Sequence, residues 1–265
     1  MDYVLITGGA SGMGRATALK FASQGYYVFS CDIKTSGEKI ENIEEIILDV
    51  RDFDSIEKAK EIVSAKTNRL CAVLNFAGII MMQSLVEMSE ADFVKIFDIN
   101  LAGVFRINKV FFPFLEQGKG KILITTSELA PNKILPFNAI YSISKKALDA
   151  YAEGLRMELG LLGIQVVTLR PGAVETKLLD DSTQSMNNLK ANTALYKNNT
   201  SKFKKIVDSQ QGTAIPPEKI ANLVYKIIKK KKAKFVYTIN ANFKLKLLNL
   251  VPAKLQLKIF KKLLK

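Results

Sequence analysis

Tyr141 and Lys145 stand four residues apart in Tyr141-Ser142-Ile143-Ser144-Lys145. On a helix that spacing puts a phenol and an ammonium on one face. A neighbouring ammonium favours the phenolate and lowers the pKa of the phenol, so such a pair can move protons near neutral pH. The rest of the composition gives the pair weight, because the 265 residues include no histidine. That absence excludes the Ser-His-Asp triad, the Cys-His pair and the His-rich zinc site. Acid–base work must come from Tyr, Lys, Asp, Glu, Ser or Cys. No cluster of metal-ligating residues is visible either, so no metal is expected.

A second group lies near the start, in Thr7-Gly8-Gly9-Ala10-Ser11-Gly12-Met13-Gly14. Gly8, Gly12 and Gly14 allow a tight turn and close approach of backbone to a pyrophosphate. The N–H groups that open the following helix, and its positive dipole end, would hold that anion. Asp32 lies 18 residues after Gly14. A carboxylate there accepts hydrogen bonds from ribose hydroxyls and repels a 2′-phosphate, which argues for NAD over NADP. Lys34 could offset part of that repulsion.

These groups need a scaffold, and the hydrophobic pattern supplies one. Tyr3–Ile6, Tyr27–Cys31, Ile43–Leu48, Ala72–Asn75, Lys121–Thr125, Gln165–Leu169 and Phe235–Thr238 read as strands, mostly rich in Val, Ile and Leu. Helical patterns fall near 13–24, 53–66, 90–116, 142–162 and 217–230. Strands apolar on both faces, alternating with helices, predict an α/β, doubly wound Rossmann fold: a seven-stranded parallel sheet with helices on both faces. Residues 1–241 form this domain. Residues 180–212 are rich in Asn, Ser, Thr and Lys and are expected to be a loop covering the substrate. Cys31 and Cys71 lie in apolar runs and are expected to be reduced core thiols.

Charge divides the chain. There are 39 basic and 25 acidic residues, a net of +14, yet residues 226–265 hold 13 lysines and no acid. The body is therefore close to neutral. Residues 242–265 form a basic tail of two short amphipathic helices separated at Pro252, plus C-terminal lysines. On a helical wheel from Leu255 to Lys265 the apolar residues fill one arc and the lysines the other, with Gln256 alone out of place. Such a tail could meet a membrane surface, cover the cleft or join subunits. Nucleic acid is not expected, since the lysines lack interleaved aromatics and no reader fold is present. The chain begins directly with a strand, without a basic leader, and no apolar run is long enough to cross a bilayer. A cytoplasmic protein is expected, with contact at the membrane periphery through the tail.

Taken together, these motifs resemble the short-chain dehydrogenase/reductases, over roughly residues 2–240. The TGxxxGxG pattern is Thr7 to Gly14, with Ser11 and Met13 between the glycines. Asp49-Val50 follows the third strand, where the family holds the adenine ring. Asn75-Phe76-Ala77-Gly78 resembles the family's NNAG, with Phe in place of the second Asn. Asn100 matches the helix asparagine, Tyr141 and Lys145 the YxxxK pair, and Arg170-Pro171-Gly172-Ala173-Val174-Glu175-Thr176 the Pro-Gly turn.

The resemblance implies an NAD(H)-dependent oxidoreductase interconverting a secondary alcohol and a ketone. Tyr141 would be the acid–base group, and Ser127 would bind the substrate oxygen. Lys145 would lower the tyrosine pKa and bind the nicotinamide ribose, and Asn100 would hold a water relay. Gly8, Ser11, Gly12, Met13, Gly14, Asp32, Asp49, Val50, Asn75, Ala77, Gly78, Pro171, Gly172, Val174 and Thr176 would line the cofactor. The family serine usually precedes the tyrosine by 13 residues, a position occupied here by Glu128. A carboxylate would repel a developing oxyanion, so the role falls to Ser127, with Thr126 as alternative. A lipophilic substrate such as a hydroxysteroid or bile acid is expected. Reduction of a 3-oxoacyl thioester or oxidation of a sugar alcohol is the alternative, and a dinucleotide-sensing, membrane-associated regulator the non-enzyme one. Family members often pair through helices equivalent to 98–116 and 142–162, so a homodimer or homotetramer is expected.

Overall fold

Strand β1 (Tyr3–Thr7) buries Val4, Leu5 and Ile6 completely, which places it at the centre of a sheet covered on both faces. The structure is a computed structural model and describes residues 1–211 and 214–265. The other strands are β2 (Tyr27–Asp32), β3 (Ile43–Ile47), β4 (Ala72–Asn75), β5 (Lys121–Thr125), β6 (Gln165–Pro171) and β7 (Val236–Ile239). They form one sheet in the order β3-β2-β1-β4-β5-β6-β7. Every pairing is parallel; Val4, for example, lies opposite Val28 on one side and Ala72 on the other. The expected doubly wound fold is therefore present.

Alternation along β1 divides the core. Leu5 points to one side, with Phe29 and Ile122, and meets α2 (Phe53–Lys66), α4 (Val104–Gly118) and α5 (Ala139–Gly160) through Ile56, Phe111 and Leu148. Val4 and Ile6 point to the other side. There they meet Phe21 of α1 (Gly12–Ala22) and Ile220, Val224 and Ile227 of α8 (Pro217–Lys229). The chain reverses direction across the sheet between β1 and β4, and a crevice at the carboxyl ends of the strands follows from that order.

Three differences from the sequence reading have physical causes. The helical run expected at 90–116 is α3 (Glu90–Phe97), a π-helical turn at Asp98–Gly103, and α4. The side chain of Asn100 explains the wide turn: it accepts from the Ile79 N–H at 2.8 Å and donates to the Ile79 carbonyl at 2.9 Å, which pins it to the neighbouring segment. Secondly, the region read as a loop at 180–212 is mostly helical, as α6 (Lys177–Asn192) and α7 (Lys197–Gln211); residue 212 lies outside the described residues. Its polar composition hid a narrow seam. Ser182, Met186 and Leu189 are buried at helical spacing, and Phe203 joins them with Phe137 and Met82. Thirdly, β2 includes Asp32, so that residue closes the strand, and β7 starts after Phe235, which is 66% exposed.

The tail folds as α9 (Phe243–Leu250) and α10 (Ala253–Leu264). Leu264 and Phe260 of α10 pack on the cluster around Phe203. Gln256 has a reason for its place in the apolar arc. It is buried and donates to the carbonyls of Leu248 and Val251, at 2.6 and 3.0 Å, closing the end of α9. The tail also grips the segment after β5. The Lys133 N–H donates to Asn249 Oδ1 (2.9 Å), Lys133 Nζ donates to the Val251 carbonyl (2.6 Å), and Asn249 Nδ2 donates to Asn132 Oδ1 (2.6 Å). Cys31 and Cys71 are both unpaired.

Candidate active site

Two adjoining cavities, of about 420 and 240 Å³, lie at the carboxyl ends of the strands and share Met13, Phe76, Gly78, Ile79, Thr176 and Leu178 as walls. The larger takes in Gly8, Ser11, Gly12, Gly14, Asp32, Asp49, Val50 and Ala77. The sequence fits a dinucleotide here on three counts. Gly8 has φ of +72°, and a Cβ on it would lie 2.8 Å from the Ala77 nitrogen; a Cβ on Gly14 would lie 2.1 Å from the Gly8 carbonyl oxygen. No side chain other than hydrogen therefore permits this turn. Helix α1 then opens with no side-chain cap and no acid in its first turn, which leaves its N–H groups for an anion. Finally, Asp32 Oδ2 accepts from the Ala10 N–H at 3.1 Å, which ties the carboxylate to the glycine turn.

The basic groups around that carboxylate are differently placed. Arg15 is committed to Glu38 at 2.8 Å and Glu45 at 3.4 Å, whereas Lys34 lines the cavity. Arg51 bonds Asp49, and that contact holds the Asp49 carboxyl below its usual range.

The smaller cavity brings Ser127, Tyr141, Lys145, Pro171, Gly172 and Val174 together. Ser127 opens the turn after β5, and its Oγ accepts from the Leu129 N–H at 3.1 Å. Tyr141 and Lys145 lie in the first two turns of α5, on the face buried against the sheet. Burial pushes the Tyr141 phenol up to about 12; a hydrogen bond with Ser127 works the other way, and the charge of Glu128 adds to the rise. Burial also presses Lys145 down to about 8. Lys145 Nζ lies 5.9 Å from the centre of the Tyr141 ring and donates to the Thr125 carbonyl at 3.1 Å.

The net shift of the Tyr141 phenol in the protein alone is upward, because burial dominates it. The phenol is held in its proton-donating form.

Other expected residues stand further back. Asn100 is fully buried and reaches the site through Ile79 and through Ser144, whose Oγ accepts from its Nδ2 at 3.1 Å. The Asn75 amide turns into the core, donating to Asn108 Oδ1 and to the Leu123 carbonyl at 3.0 and 3.2 Å, so it shapes the end of β4 and lines neither cavity. Thr126, the alternative to Ser127, gives its hydroxyl to Asp149. Sequence reasoning missed Thr125 and Asn138. Both line the smaller cavity, and each has a buried side-chain oxygen without a partner, Oγ1 and Oδ1 respectively. No local motif marks them; Thr125 closes β5 and Asn138 stands at the N-cap of α5, so separate segments bring them together. Among the described residues no group of three or more His, Cys, Asp or Glu is placed to hold a metal ion, and no helix is long and apolar enough to cross a membrane.

A family model described as short chain dehydrogenase matches residues 2–187. The chain is 36% identical over 183 residues to the NADPH-dependent 1-acyldihydroxyacetone phosphate reductase of Schizosaccharomyces pombe, a match covering 66% of this chain and 61% of that protein. It is 26% identical over 234 residues to the 3-ketodihydrosphingosine reductase of Bacteroides thetaiotaomicron, covering 88% and 86%. A solved short-chain dehydrogenase from Streptomyces avermitilis superimposes with a TM-score of 0.78 at 22% identity, covering 98% of this chain and 96% of that one. Glycine turn, parallel sheet and family match agree, and the chain belongs to the short chain dehydrogenase family.

Proposed function

We propose that the protein is an NAD(H)-dependent oxidoreductase that interconverts a ketone and a secondary alcohol on a lipophilic, open-chain substrate. One observation carries this reading. Ser127, Tyr141 and Lys145 converge in an apolar cavity that shares a wall with the dinucleotide-shaped one. When bound, the nicotinamide supplies or accepts the hydride. The chain's own groups handle the rest. Ser127 donates a hydrogen bond to the substrate oxygen, and Tyr141 gives that oxygen its phenolic proton in reduction and recovers it in oxidation. Lys145 stabilises the phenolate left behind, and Asn100 fixes the backbone at Ile79 that borders the reacting centre.

Three features support the finer terms. Met82, Leu135, Leu179, Phe203 and Leu245 give the cavity apolar walls, and both named relatives reduce ketones, one with an acyl chain in its name. That favours an open chain over the steroid expected from sequence. Asp32, with Arg15 already neutralised, supports NAD, although the fission-yeast relative is named for NADPH.

The tail supports a lipid contact. Phe243, Leu247, Leu250, Leu255, Leu257 and Leu263 are exposed beside seven lysines and no acid in residues 242–265. This composition suits an anionic membrane surface. Exposed Phe105 on α4 and Met157 on α5 support pairing of two copies through those helices.

The experiment is a screen at 340 nm with NADH and NADPH against long-chain 3-ketones, steroid ketones and sugars. Turnover of the open-chain ketones, with NADH preferred, is expected. Oxidation or reduction confined to sugars or steroids would overturn the substrate class, and an NADPH preference would overturn the role of Asp32.

A further inference from the structure

The smaller cavity is lined mainly by apolar side chains and neutral polar ones. Among its lining residues Glu128 is the sole carboxylate and Lys145 the sole cation. A carboxylate in such surroundings is costly, and burial raises the Glu128 pKa. The fold nevertheless holds it firmly. The Glu128 N–H donates to the Pro171 carbonyl at 2.9 Å, Oε2 accepts from the Asn242 N–H, and Oε1 sits where a Cβ on Gly172 would come within 3.2 Å. Lys246 favours the ionised form from a distance, but among the described residues none of the ion pairs includes Glu128. A neutral glutamine could accept the Asn242 N–H without the cost of a charge. The carboxylate is therefore more than that bond requires.

Its neighbours locate what it is for. Glu128 directly follows Ser127 and lines the same cavity as Tyr141, whose pKa its charge helps to raise. Asn138, three residues before Tyr141, is 7% exposed, lines the same cavity, and has its Oδ1 without a partner. An anionic and a neutral acceptor thus share one cavity with the two groups that would hold the carbonyl oxygen.

We propose that Glu128, assisted by the Asn138 amide, binds a protonated amine carried by the substrate on a carbon beside its carbonyl, so that the preferred substrate is a lipophilic amino ketone. This rests on the ketone-reductase reading and specifies its substrate. The ammonium ends the isolation of the Glu128 charge and fixes the orientation of the carbonyl toward Ser127 and Tyr141. It also offsets the influence of Glu128 on the phenol. A charge-assisted hydrogen bond in a dry site is worth about tenfold or more in selectivity.

The test compares dodecan-3-one with its 2-amino derivative as substrates for the whole enzyme with NADH. The wild type is expected to favour the amino ketone at least about tenfold in kcat/KM. Glu128→Gln should bring that ratio close to one, and Glu128→Asp should restore part of it, which a merely structural role for Glu128 would not do. Binding of dodecylamine and dodecanol to the NADH-loaded protein, followed by nicotinamide fluorescence, gives a readout without turnover. The amine should bind more tightly than the alcohol to the wild type and lose that advantage in Glu128→Gln. Indifference of the wild type to the amino group, or a preference unchanged in Glu128→Gln, overturns the proposal while ketone reduction stands. Failure to reduce either ketone, with amine binding that depends on Glu128, overturns the reductase reading and leaves the ammonium site in place.

Discussion

The phenol of Tyr141 is held protonated by burial, with its pKa pushed up to about 12, so it is ready to donate rather than accept. Tyr141→Phe removes that proton and preserves the ring. Reduction should slow by about a hundredfold to ten-thousandfold, the range of general-acid contributions, while the dissociation constant for NADH, read by fluorescence titration, stays within a few-fold. Lys145 makes a second prediction with a definite sign. Its ammonium, pressed down to about 8, is charged below that pH and neutral above it. The charge stabilises the phenolate formed as the proton leaves. kcat/KM for reduction should therefore fall as pH rises through about 8, and Lys145→Met should be slow and lack this step. A wild-type profile flat from pH 7 to 9 would remove Lys145 from the proton-transfer step. At this scale the sequence marks the residues that carry a local pattern. Tyr141 and Lys145 show themselves by spacing, and Gly8 and Gly14 by their strand–turn–helix setting. Glu128 and Asn138 carry no such pattern, because their meaning depends on a cavity that separate segments close.

Elements with strong periodicity were legible, and weakly patterned ones were not. The buried strands read directly from their apolar runs. Helices α6 and α7 did not, since Asn, Ser, Thr and Lys fill most of their positions and the buried seam is only one residue wide per turn. The π-helical turn was hidden for another reason: a tertiary pair of hydrogen bonds between Asn100 and Ile79 produces it. Gln256 shows that a helical wheel can mislead as well as guide. By the wheel, Gln256→Leu should stabilise α10 by completing its apolar arc. In the fold the variant should instead destabilise the protein by about 1–3 kcal/mol, because the Leu248 and Val251 carbonyls lose their donor. Urea denaturation distinguishes the two, and a higher midpoint for the variant would refute the capping role.

The molecule as a whole carries its charge unevenly, with a nearly neutral body and 13 lysines after residue 225. That division was visible in the sequence. Which tail residues face inward was not, since the wheel gives no partner: α10 buries Leu264 and packs the partly buried Phe260 against the cluster around Phe203 but exposes Leu255, Leu257 and Leu263. The exposed set predicts behaviour on vesicles. The full chain should sediment with vesicles rich in phosphatidylglycerol, much less with pure phosphatidylcholine, and the binding should weaken at 0.5 M salt as the charges are screened. Leu250→Glu with Leu257→Glu should reduce it. Equal recovery with both vesicle types, or no sedimentation at all, would exclude an anionic lipid partner.

The grip of residues 242–251 on the segment after β5 has a consequence in time. Lys133, Asn132 and Glu128 take partners 116–118 and 114 positions further along the chain. A ribosome delivers those partners well after the residues they bind. Strands β1 to β6, the glycine turn and α5 all precede α9 in the chain, yet the wall beside Ser127 is completed only when α9 emerges. In a growing chain the wall beside Ser127 therefore lacks these partners until α9 has been made, long after the glycine turn.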